Sequence, residues 1–581
     1  MKPKKYMGAK SIIPRPEYPN PQFERKEWMN LNGEWEFEKD PGDSGESRGL
    51  HKTSSFSEKI IVPFCMESPL SGIGYKDFCN AVWYRRAFVL PDDFAGENKR
   101  VFLHIGACDY RTTVYVNGEI VGIHTGGFVS FAIEITKSLH VGENILTIRA
   151  QDDVRSGKQP SGKQSSSYES FGCFYTRTTG IWQTVWLEST PKDYIRSIRV
   201  FPDLKTSSLL IEAKVELSTP MQLTAIASYY GTNVGKVTVQ AEAETVIFRL
   251  PLSELHLWEP GKGELYDLTL LFGEDTVKSY FGMRTVEVRE GAIYINGKPI
   301  FQRMVLDQGF YPDGIYTAPD DGELLGDIQR SMKMGFNGAR LHQKIFEPRF
   351  LYHCDCCGYL VWEEHGDWGA DFTKDCAWKF FHEWEEAVMR DFNHPSIIGW
   401  CPFNEMNDQQ SSNDHHRYGY ELTKRLDPTR PVIEVSGWSH QAGVGDIVDW
   451  HDYNQSPEKF RECYLQVAEG KTVSHILRQP QGIRPTFISE YGGIFWDVEG
   501  NGWGYGKVKT EEEFKERFKG LTEALLQNPF ICGFCYTQLT DVEQEVNGLY
   551  TYHREPKFDP TFFYHVLTQE AAMEKERQNL T

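Results

Sequence analysis

Residues 397–405 have the sequence IIGWCPFNE, a short apolar run that ends in the polar pair Asn404-Glu405. A second run, PTFISEYGG at residues 485–493, carries Glu490 shortly before two glycines. Short apolar runs that stop at polar or glycine residues are typical of buried parallel strands. In a barrel of alternating strands and helices, the carboxyl ends of the strands carry the catalytic side chains. We therefore predict that Glu405 and Glu490 face each other in one active site, where paired carboxylates can divide a reaction.

The region from about residue 287 onward alternates strand-like and helical segments, which indicates a parallel α/β fold. Eight strands over roughly 280 residues predict a (β/α)8 TIM barrel. The predicted strands are Phe301–Val305, Gly338–Leu341, Tyr359–Trp362, Ile397–Pro402, Val432–Val435, Val448–His451, Thr486–Ser489 and Cys532–Tyr536.

The region before the barrel has the pattern of two β-sandwiches. Residues 1–187 contain short alternating runs without helical periodicity, and the pair Asn117-Gly118 between two such runs predicts a tight hairpin. Residues 188–286 repeat this pattern over about a hundred residues, the size of an immunoglobulin-like sandwich. The segment Asp152–Gly180 is rich in serine, glycine and aromatic residues, and we predict a loop that reaches another domain.

The bulk properties restrict the class of partner and the compartment. The chain has 581 residues and a formal net charge of −20, which argues against nucleic acid and anionic membranes as partners. The twelve cysteines are scattered without the spacing of a zinc site, as expected for free thiols in a reducing compartment. The amino-terminal segment is charged but lacks the apolar core of a secretory signal, so we expect a cytoplasmic protein.

Short motifs along nearly the whole chain occur in the order and spacing of one enzyme family. They are NLNGEWEF at 30–37, VWYRR at 82–86, GIWQ at 180–183, FGMR at 281–284, NGKP at 296–299, GFNGAR at 335–340, HPS at 394–396, NE at 404–405 and SEYG at 489–492. With these motifs the chain resembles glycoside hydrolase family 2, which contains β-galactosidases, β-glucuronidases and β-mannosidases. The resemblance implies a jelly-roll-like sugar-binding domain at 1–187, an immunoglobulin-like sandwich at 188–286 and a catalytic TIM barrel at 287–581. It also implies a carbohydrate substrate and a homo-oligomer.

By this resemblance, Glu405 is the general acid/base and Glu490 is the nucleophile of a retaining mechanism. Asn404 can bind a substrate hydroxyl beside the departing oxygen, and such a bond strengthens as the sugar ring flattens. Tyr453 corresponds to the family tyrosine that lies against the nucleophile, where a phenol can tune the pKa of that carboxyl. Arg340 is expected to support Glu490 from the second strand.

Three further residues are candidates for contact with the sugar. His365 lies in EHG at 364–366, which resembles a galactosidase motif whose histidine contacts sugar hydroxyls. Trp496 and Tyr536 lie near strand ends or loops, where an aromatic ring can stack on a sugar.

Two departures from the family pattern bear on the choice of sugar. The family usually has Ser-His-Tyr-Pro after the second strand, but this chain has LHQK at 341–344, and either His342 or Gln343 takes the place of the family histidine. Glucuronidases carry an Asn-x-Lys motif whose lysine binds the sugar carboxylate, and Asn547 stands at the position of that lysine. A neutral amide gains much less from a carboxylate than an ammonium does.

The expected function is therefore hydrolysis of a terminal β-linked hexopyranoside, with a β-galactoside as first choice. The alternative is a β-hexuronide, glucuronide or galacturonide, whose carboxylate would bind Lys344. A non-catalytic carbohydrate-binding protein and a transglycosylase are two further alternatives. No obligatory metal is expected. No nucleotide or redox cofactor is expected either.

Overall fold

The computed structural model describes residues 13–406, 413–441, 443–468, 484–497 and 502–578. The described part begins with a β-sandwich, as the alternating runs predict. Its strands are β1 Trp28–Asn30, β2 Gly33–Lys39, β3 Glu58–Val62, β4 Ala81–Val89, β5 Lys99–Ile105, β6 Cys108–Asp109, β7 Arg111–Val116, β8 Glu119–Thr125, β9 Phe131–Glu134, β10 Glu143–Gln151, β11 Gly180–Ile181 and β12 Val185–Pro191. A four-stranded sheet, β1-β12-β5-β9, and a six-stranded sheet, β3-β2-β4-β10-β7-β8, form its two layers.

Alternating side chains build the core of this sandwich. In β2, Trp35 and Phe37 are buried, whereas Glu36 between them is partly exposed. Asn117 and Gly118 form the predicted turn between β7 and β8, with φ of 51° and 84°. Positive φ at both turn positions matches the twist of the flanking strands, so the predicted hairpin is confirmed.

A second sandwich of seven strands follows. Its strands are β13 Tyr194–Asp203, β14 Ser208–Glu216, β15 Met221–Tyr229, β16 Thr232–Ala241, β17 Thr245–Pro251, β18 Tyr266–Phe272 and β19 Asp275–Phe281. They form the sheets β13-β14-β17 and β16-β15-β18-β19, which agrees with the immunoglobulin-like architecture. The domain boundaries at 187 and 286 stay predictions; β12 continues to Pro191 within the first sandwich.

The remaining chain forms the barrel. A small antiparallel sheet leads into it, formed by β20 Val286–Arg289, β21 Ala292–Ile295 and β22 Lys298–Pro299. The barrel region contains β23 Gln302–Asp307, β24 Gly338–Leu341, β25 Leu360–Glu364, β26 Ile397–Cys401, β27 Val448–Asp452, β28 Thr486–Gly492, β29 Ile494–Phe495, β30 Gly506–Lys507 and β31 Ile531–Thr537. Its helices are α1 Asp321–Met334, α2 Pro348–Cys357, α3 Ala377–Asp391, α4 Asn413–Leu426, α5 Pro457–Ala468, α6 Glu511–Leu526, α7 Pro560–Leu567 and α8 Ala572–Gln578. Seven strands form one parallel sheet in the order β26-β25-β24-β23-β31-β28-β27, and helices separate most consecutive strands.

The predicted strand Val432–Val435 is reduced to two bridges. Val432 pairs with Trp400 and Ser436 pairs with Asn404, both in parallel. The next residue, Gly437, has φ of 119°, which turns the chain out of the extended conformation. The seven other predicted strands are confirmed, with ends that differ by up to three residues. No helix in the described part of the chain is both long and apolar enough to span a bilayer.

The long loop at 152–180 lies against the barrel. The backbone NH of Gly162 donates to the carbonyls of Gly366 and Trp368 at 3.2 and 3.0 Å. Gly162 has φ of 57°, and a Cβ there would lie 2.3 Å from the carbonyl oxygen of Gln343, so only glycine allows this approach. The first sandwich therefore contributes directly to the surroundings of the barrel mouth.

Candidate active site

The two glutamates lie together at the carboxyl ends of the barrel strands. Glu405 follows β26, whereas Glu490 lies in β28 and pairs in register with His451 of β27. One carboxylate oxygen of each glutamate and one ring nitrogen of His451 lie within 4.8 Å of one another. A retaining mechanism requires carboxyl groups about 5–5.5 Å apart. The structure thus brings together the two residues selected from the sequence, at a spacing that suits this chemistry.

Glu490 is buried and held as an anion. Arg340 donates to its Oε1 at 2.9 Å, and the Tyr453 hydroxyl donates to its Oε2 at 2.5 Å. Burial alone would raise the pKa of Glu490, but the positive charges of His451 and Arg340 hold this pKa well below its usual range. Glu490 is therefore an ionised carboxylate with both oxygens fixed, which suits a nucleophile.

Arg340 connects Glu490 to the neighbouring strands. Its guanidinium donates to Oε2 of Glu364 at 2.7 Å and to Oδ1 of Asn404 at 2.6 Å. Burial would raise the pKa of Glu364, but Arg340, His342 and the backbone NH of Gln343 together outweigh this effect, and the pKa is lowered to about 2. His342 lies on the other side, with Nδ1 2.8 Å from Oε1 of Glu364. Arg340 and Glu364 therefore form a charged pair that orients both Glu490 and Asn404.

Glu405 has a left-handed backbone conformation just beyond the end of β26. Its φ is 53°, and its backbone NH donates to the carbonyl of Ser436 at 2.7 Å. Such strained positions are concentrated at functional sites. Oε1 of Glu405 lies 2.7 Å from Nδ1 of His451. Among the described residues, Glu405, His451 and Glu490 are also the one set of three side chains grouped closely enough to hold a metal ion.

Asn404 keeps one unused donor beside Glu405. Its backbone NH donates to Oδ1 of Asp367, and its carbonyl accepts from Nε1 of Trp368, both at 3.1 Å. Its Oδ1 accepts from Arg340. No described residue accepts a hydrogen bond from Nδ2 of Asn404. This amide donor is free for a sugar hydroxyl, in the role predicted for Asn404.

A cavity of about 620 Å³ lies beside Asn404 and Glu405. Asn404 and Glu405 line it together with the aromatic rings of Phe174, Trp368 and Trp438. Ligand pockets of small molecules have volumes of about 300–1,000 Å³, so the cavity accommodates a glycoside. Phe174 belongs to the first sandwich, and the cavity therefore has walls from two parts of the chain.

His365 does not reach this cavity. Its side chain is fully buried and contacts the rings of Phe380 and Trp384 on α3. Glu364, the residue before it, points inward to Arg340, and successive strand residues point to opposite faces of a sheet. Because the His365 side chain faces α3, the structure contradicts the sugar contact predicted for this residue.

Tyr536 and Trp496 contribute to the barrel core. Tyr536 is fully buried and packs against Tyr491 and against Phe518 of α6. Because its ring faces this helix, the stacking on sugar predicted for Tyr536 is also corrected. Trp496 is partly buried on the same core, and its backbone NH donates to the carbonyl of Val546 at 3.3 Å. The stacking role of Trp496 stays a prediction.

Lys344 is hydrogen-bonded within the protein through its ammonium. Its ammonium donates to the backbone carbonyls of Gly309 and Tyr316 at 2.6 and 2.8 Å. The residue is buried, and burial lowers the pKa of Lys344 to about 7. Gln343 before it has φ of 53° and directs its own side chain to Asp367 at 2.5 Å. The chain bends at Gln343 and Lys344, and Lys344 makes structural contacts in place of the predicted carboxylate contact.

Asn547 is likewise satisfied by protein groups. Its Nδ2 donates to Glu545 at 3.0 Å, and its Oδ1 accepts from Gln538 at 2.8 Å. The hydroxyl of Tyr175, from the loop of the first sandwich, donates to the other oxygen of Glu545. Asn547 therefore positions Glu545, and direct contact with sugar, as predicted for Asn547, is not favoured.

Two residues near the catalytic pair are not marked by the sequence patterns. His451 ends the predicted strand Val448–His451, and its place at a strand end is the signal that could have identified it. Lys163 lies in the loop at 152–180, far from both glutamates in sequence, and no local pattern marks it. Its ammonium lies 3.7 Å from the centroid of the Trp368 ring in the cavity wall.

Three sequence profiles of one family match consecutive parts of the chain. They are the glycosyl hydrolase 2 galactose-binding domain-like profile at 71–184, the glycosyl hydrolases family 2 profile at 193–284 and the glycosyl hydrolases family 2 TIM barrel profile at 286–554. Their order is that of the two sandwiches and the barrel.

Curated relatives include a β-galactosidase and several β-glucuronidases. The β-galactosidase of Thermoanaerobacter pseudethanolicus is 25% identical over 445 residues, which are 73% of this chain and 58% of that protein. The β-glucuronidase of Canis lupus familiaris is 27% identical over 498 residues, or 75% of this chain and 73% of the relative. The β-glucuronidase of Streptococcus agalactiae is 25% identical over 561 residues, or 86% of this chain and 90% of the relative. This chain thus spans little more than half of the Thermoanaerobacter protein.

Solved structures with the same fold include two β-glucuronidases. One, from an uncultured Clostridium species, superposes with a TM-score of 0.77 at 19% identity, covering 93% of this chain and 98% of that one. The other is the Ruminococcus gnavus β-glucuronidase in complex with D-glucuronic acid, with a TM-score of 0.77 at 19% identity, covering 95% and 99%. At this level of identity, the likeness is one of fold.

Proposed function

Because the chain belongs to glycoside hydrolase family 2, we propose that it hydrolyses a terminal β-linked hexopyranoside with net retention, as an exo-β-glycosidase. The observation that carries this proposal is the spacing of Glu405 and Glu490, whose nearest carboxylate oxygens lie within 4.8 Å. An inverting enzyme holds its carboxyl groups about 6.5–9.5 Å apart to leave room for a water molecule. The short spacing supports direct attack by one carboxylate.

In the first half of the reaction, Glu490 attacks the anomeric carbon and Glu405 gives a proton to the departing oxygen. The bond to the aglycone breaks as an ester forms between the sugar and Glu490. Arg340 and Tyr453 hold the two oxygens of Glu490, so the attacking lone pair is oriented before the substrate arrives. The free Nδ2 of Asn404 supports the transition state through a sugar hydroxyl.

In the second half, Glu405 is an anion and removes a proton from water. The hydroxide attacks the anomeric carbon and releases Glu490, and two inversions give net retention. His451 is hydrogen-bonded to Glu405, so one proton can reside on either group. His451 therefore acts as a positioning residue that orients the Glu405 carboxyl in both half-reactions.

A hexuronide is the favoured substrate class, and a galactoside is the second candidate. Relatives from Canis lupus familiaris and Streptococcus agalactiae are β-glucuronidases, and the Ruminococcus gnavus structure contains D-glucuronic acid. In the sequence, the EHG motif at 364–366 favours a galactoside because its histidine is expected to contact the sugar. The orientation of His365 does not support that contact. The Thermoanaerobacter β-galactosidase keeps the galactoside as a candidate.

Turnover of 4-nitrophenyl β-glucuronide, β-galacturonide and β-galactoside tests the proposal. We expect at least one to be hydrolysed, and Glu490→Gln to lower kcat by about 10⁴-fold. Glu421→Gln, an exposed carboxylate on α4, is the matched control and should keep full activity. Full activity of Glu490→Gln contradicts the proposal. Binding without turnover supports a carbohydrate-binding protein instead, and preferred transfer to an added sugar supports a transglycosylase.

A further inference from the structure

The first sandwich places a lysine against Trp368, a residue of the cavity wall. Lys163 follows Gly162, whose backbone NH is bound by the carbonyls of Gly366 and Trp368. The backbone carbonyl of Lys163 accepts from Tyr175 at 2.7 Å, which fixes the loop on the other side. Its ammonium lies over the Trp368 ring, 3.7 Å from the centroid, and Trp368 lines the cavity. The docked loop therefore holds this cation at the site of the glutamates.

Lys163 is a buried cation without a carboxylate of its own. The residue is 6% exposed, and no carboxylate in the described ranges lies within 4.0 Å of the ammonium. Burial alone would lower the pKa of Lys163, but Cys173, Glu545 and Glu490 raise it, so the side chain is charged at neutral pH. A buried charge is costly unless an anion pairs with it. The ammonium is therefore suited to an anion that enters through the cavity.

The other donors predicted near the sugar, Arg340, Lys344 and Asn547, are hydrogen-bonded to protein groups. Arg340 donates to two glutamates and to Asn404. Lys344 donates to two backbone carbonyls. Asn547 uses its amide on two neighbouring side chains. By contrast, the Lys163 ammonium interacts with the Cys173 thiol, a weak acceptor, and has no described carboxylate within 4.0 Å.

We infer that Lys163 binds the C6 carboxylate of a β-hexuronide, and that this contact sets the preference for a uronide over the neutral sugar. The inference rests on the proposed function, because it names the substrate class of the same site. A hexuronide differs from its hexoside only at C6, where a carboxylate replaces a hydroxymethyl group. A charge-assisted bond at that position distinguishes the two sugars. The cation comes from the first sandwich, whereas Asn547 occupies the position of the usual barrel lysine.

Glu545 offers a competing explanation for the charge on Lys163. Burial raises the pKa of Glu545, and the nearby Lys163 charge opposes this rise. The two oxygens of Glu545 accept from Tyr175 and Asn547, and neither oxygen lies within 4.0 Å of the Lys163 ammonium. If Lys163 only compensated the charge of Glu545, its removal would impair turnover of every sugar to the same degree. The two explanations therefore differ in sugar selectivity.

Steady-state kinetics of Lys163→Met with the three nitrophenyl glycosides test the inference. We expect kcat/KM for the preferred uronide to fall about 100-fold, and kcat/KM for the β-galactoside to change by less than about threefold. Lys163→Arg keeps the charge and should recover about tenfold of the loss. Lys158→Met removes an exposed lysine of the same loop and should leave all three rates unchanged.

The outcomes separate this inference from the proposed function. Equal losses on uronide and galactoside, no loss at all, or a wild-type preference for the galactoside each overturn the role of Lys163 and leave the retaining glycosidase in place. Absence of turnover by the wild type overturns the proposed function itself. If Lys163→Met does not fold, competition assays on the wild type decide. Free D-glucuronic or D-galacturonic acid should then inhibit at least about tenfold more strongly than D-glucose or D-galactose, and equal inhibition overturns the inference.

Discussion

Nδ1 of His451 lies 2.7 Å from Oε1 of Glu405. Nε2 of the same ring lies 2.9 Å from the Ser436 hydroxyl, which fixes the orientation of the ring. The distance from Nδ1 to Oε2 of Glu490 is 3.5 Å. One imidazole therefore lies between the two carboxylates that the proposed mechanism assigns as acid/base and nucleophile.

Replacing His451 by glutamine should change the pH dependence of the reaction. Burial would lower the pKa of His451, but Glu490 and Glu405 raise it, so the shared proton is lost only on the alkaline side. In His451→Gln the alkaline limb of kcat/KM should move to lower pH, and kcat should fall about 100-fold. His440→Gln is the control, because this buried histidine is bonded to Glu434. A pH profile of unchanged shape in His451→Gln contradicts this role of His451.

Replacing Tyr453 by phenylalanine should move the acidic limb. The Tyr453 hydroxyl is one of the donors that hold the pKa of Glu490 low. Without this donor the pKa of Glu490 rises, so the acidic limb of kcat/KM should move to higher pH, with a loss of about 100-fold at the optimum. Tyr491→Phe is the matched control, because its hydroxyl lies 2.8 Å from that of Thr522. An acidic limb at the wild-type pH would show that the phenol does not act on the nucleophile.

Replacing Glu405 by alanine should make the rate depend on the leaving group. A nitrophenolate departs without a proton, whereas an alkoxide requires one from Glu405. We expect kcat/KM for an alkyl glycoside to fall at least about 100-fold more than that for the nitrophenyl glycoside of the same sugar. Parallel assays of both substrates measure this ratio. Equal losses on the two substrates would assign the acid step to another residue.

Replacing Lys344 by methionine should affect stability and leave the sugar preference unchanged. The change removes the donor of the buried carbonyls of Gly309 and Tyr316. An unsatisfied buried polar group costs about 1–3 kcal/mol, so Tm should fall by several degrees. Lys333→Met, at an exposed position of α1, is the control for Tm. A selective loss of uronide turnover in Lys344→Met would return the carboxylate-binding role to Lys344.

The barrel and the meeting of Glu405 with Glu490 could be predicted because their sequence signals are local. Glu405 and Glu490 each follow or lie in an apolar run of strand length, and parallel strands place their carboxyl ends at one edge. Tyr453 and Arg340 also lie at such ends, and the structure places both against Glu490.

The remaining contacts depend on side-chain orientation and on the docking of the loop at 152–180, which local sequence patterns do not predict. His365 and Lys344 lie at strand ends as expected. However, His365 faces helix α3, and Lys344 follows a bend at Gln343. Lys163 reaches Trp368 only because the loop at 152–180 docks on the barrel. The contact between these distant segments requires the folded arrangement of both.

Covalent trapping of the glycosyl-enzyme tests directly whether Glu490 is the nucleophile of a retaining mechanism. A 2-deoxy-2-fluoro β-glycosyl fluoride of the preferred sugar slows the second half of the reaction, and peptide mass spectrometry then locates the label. We predict one fluorosugar per chain, on Glu490, and return of activity as the ester hydrolyses. A label on another residue, or an active enzyme that remains unlabelled and first releases the inverted anomer, would contradict the account.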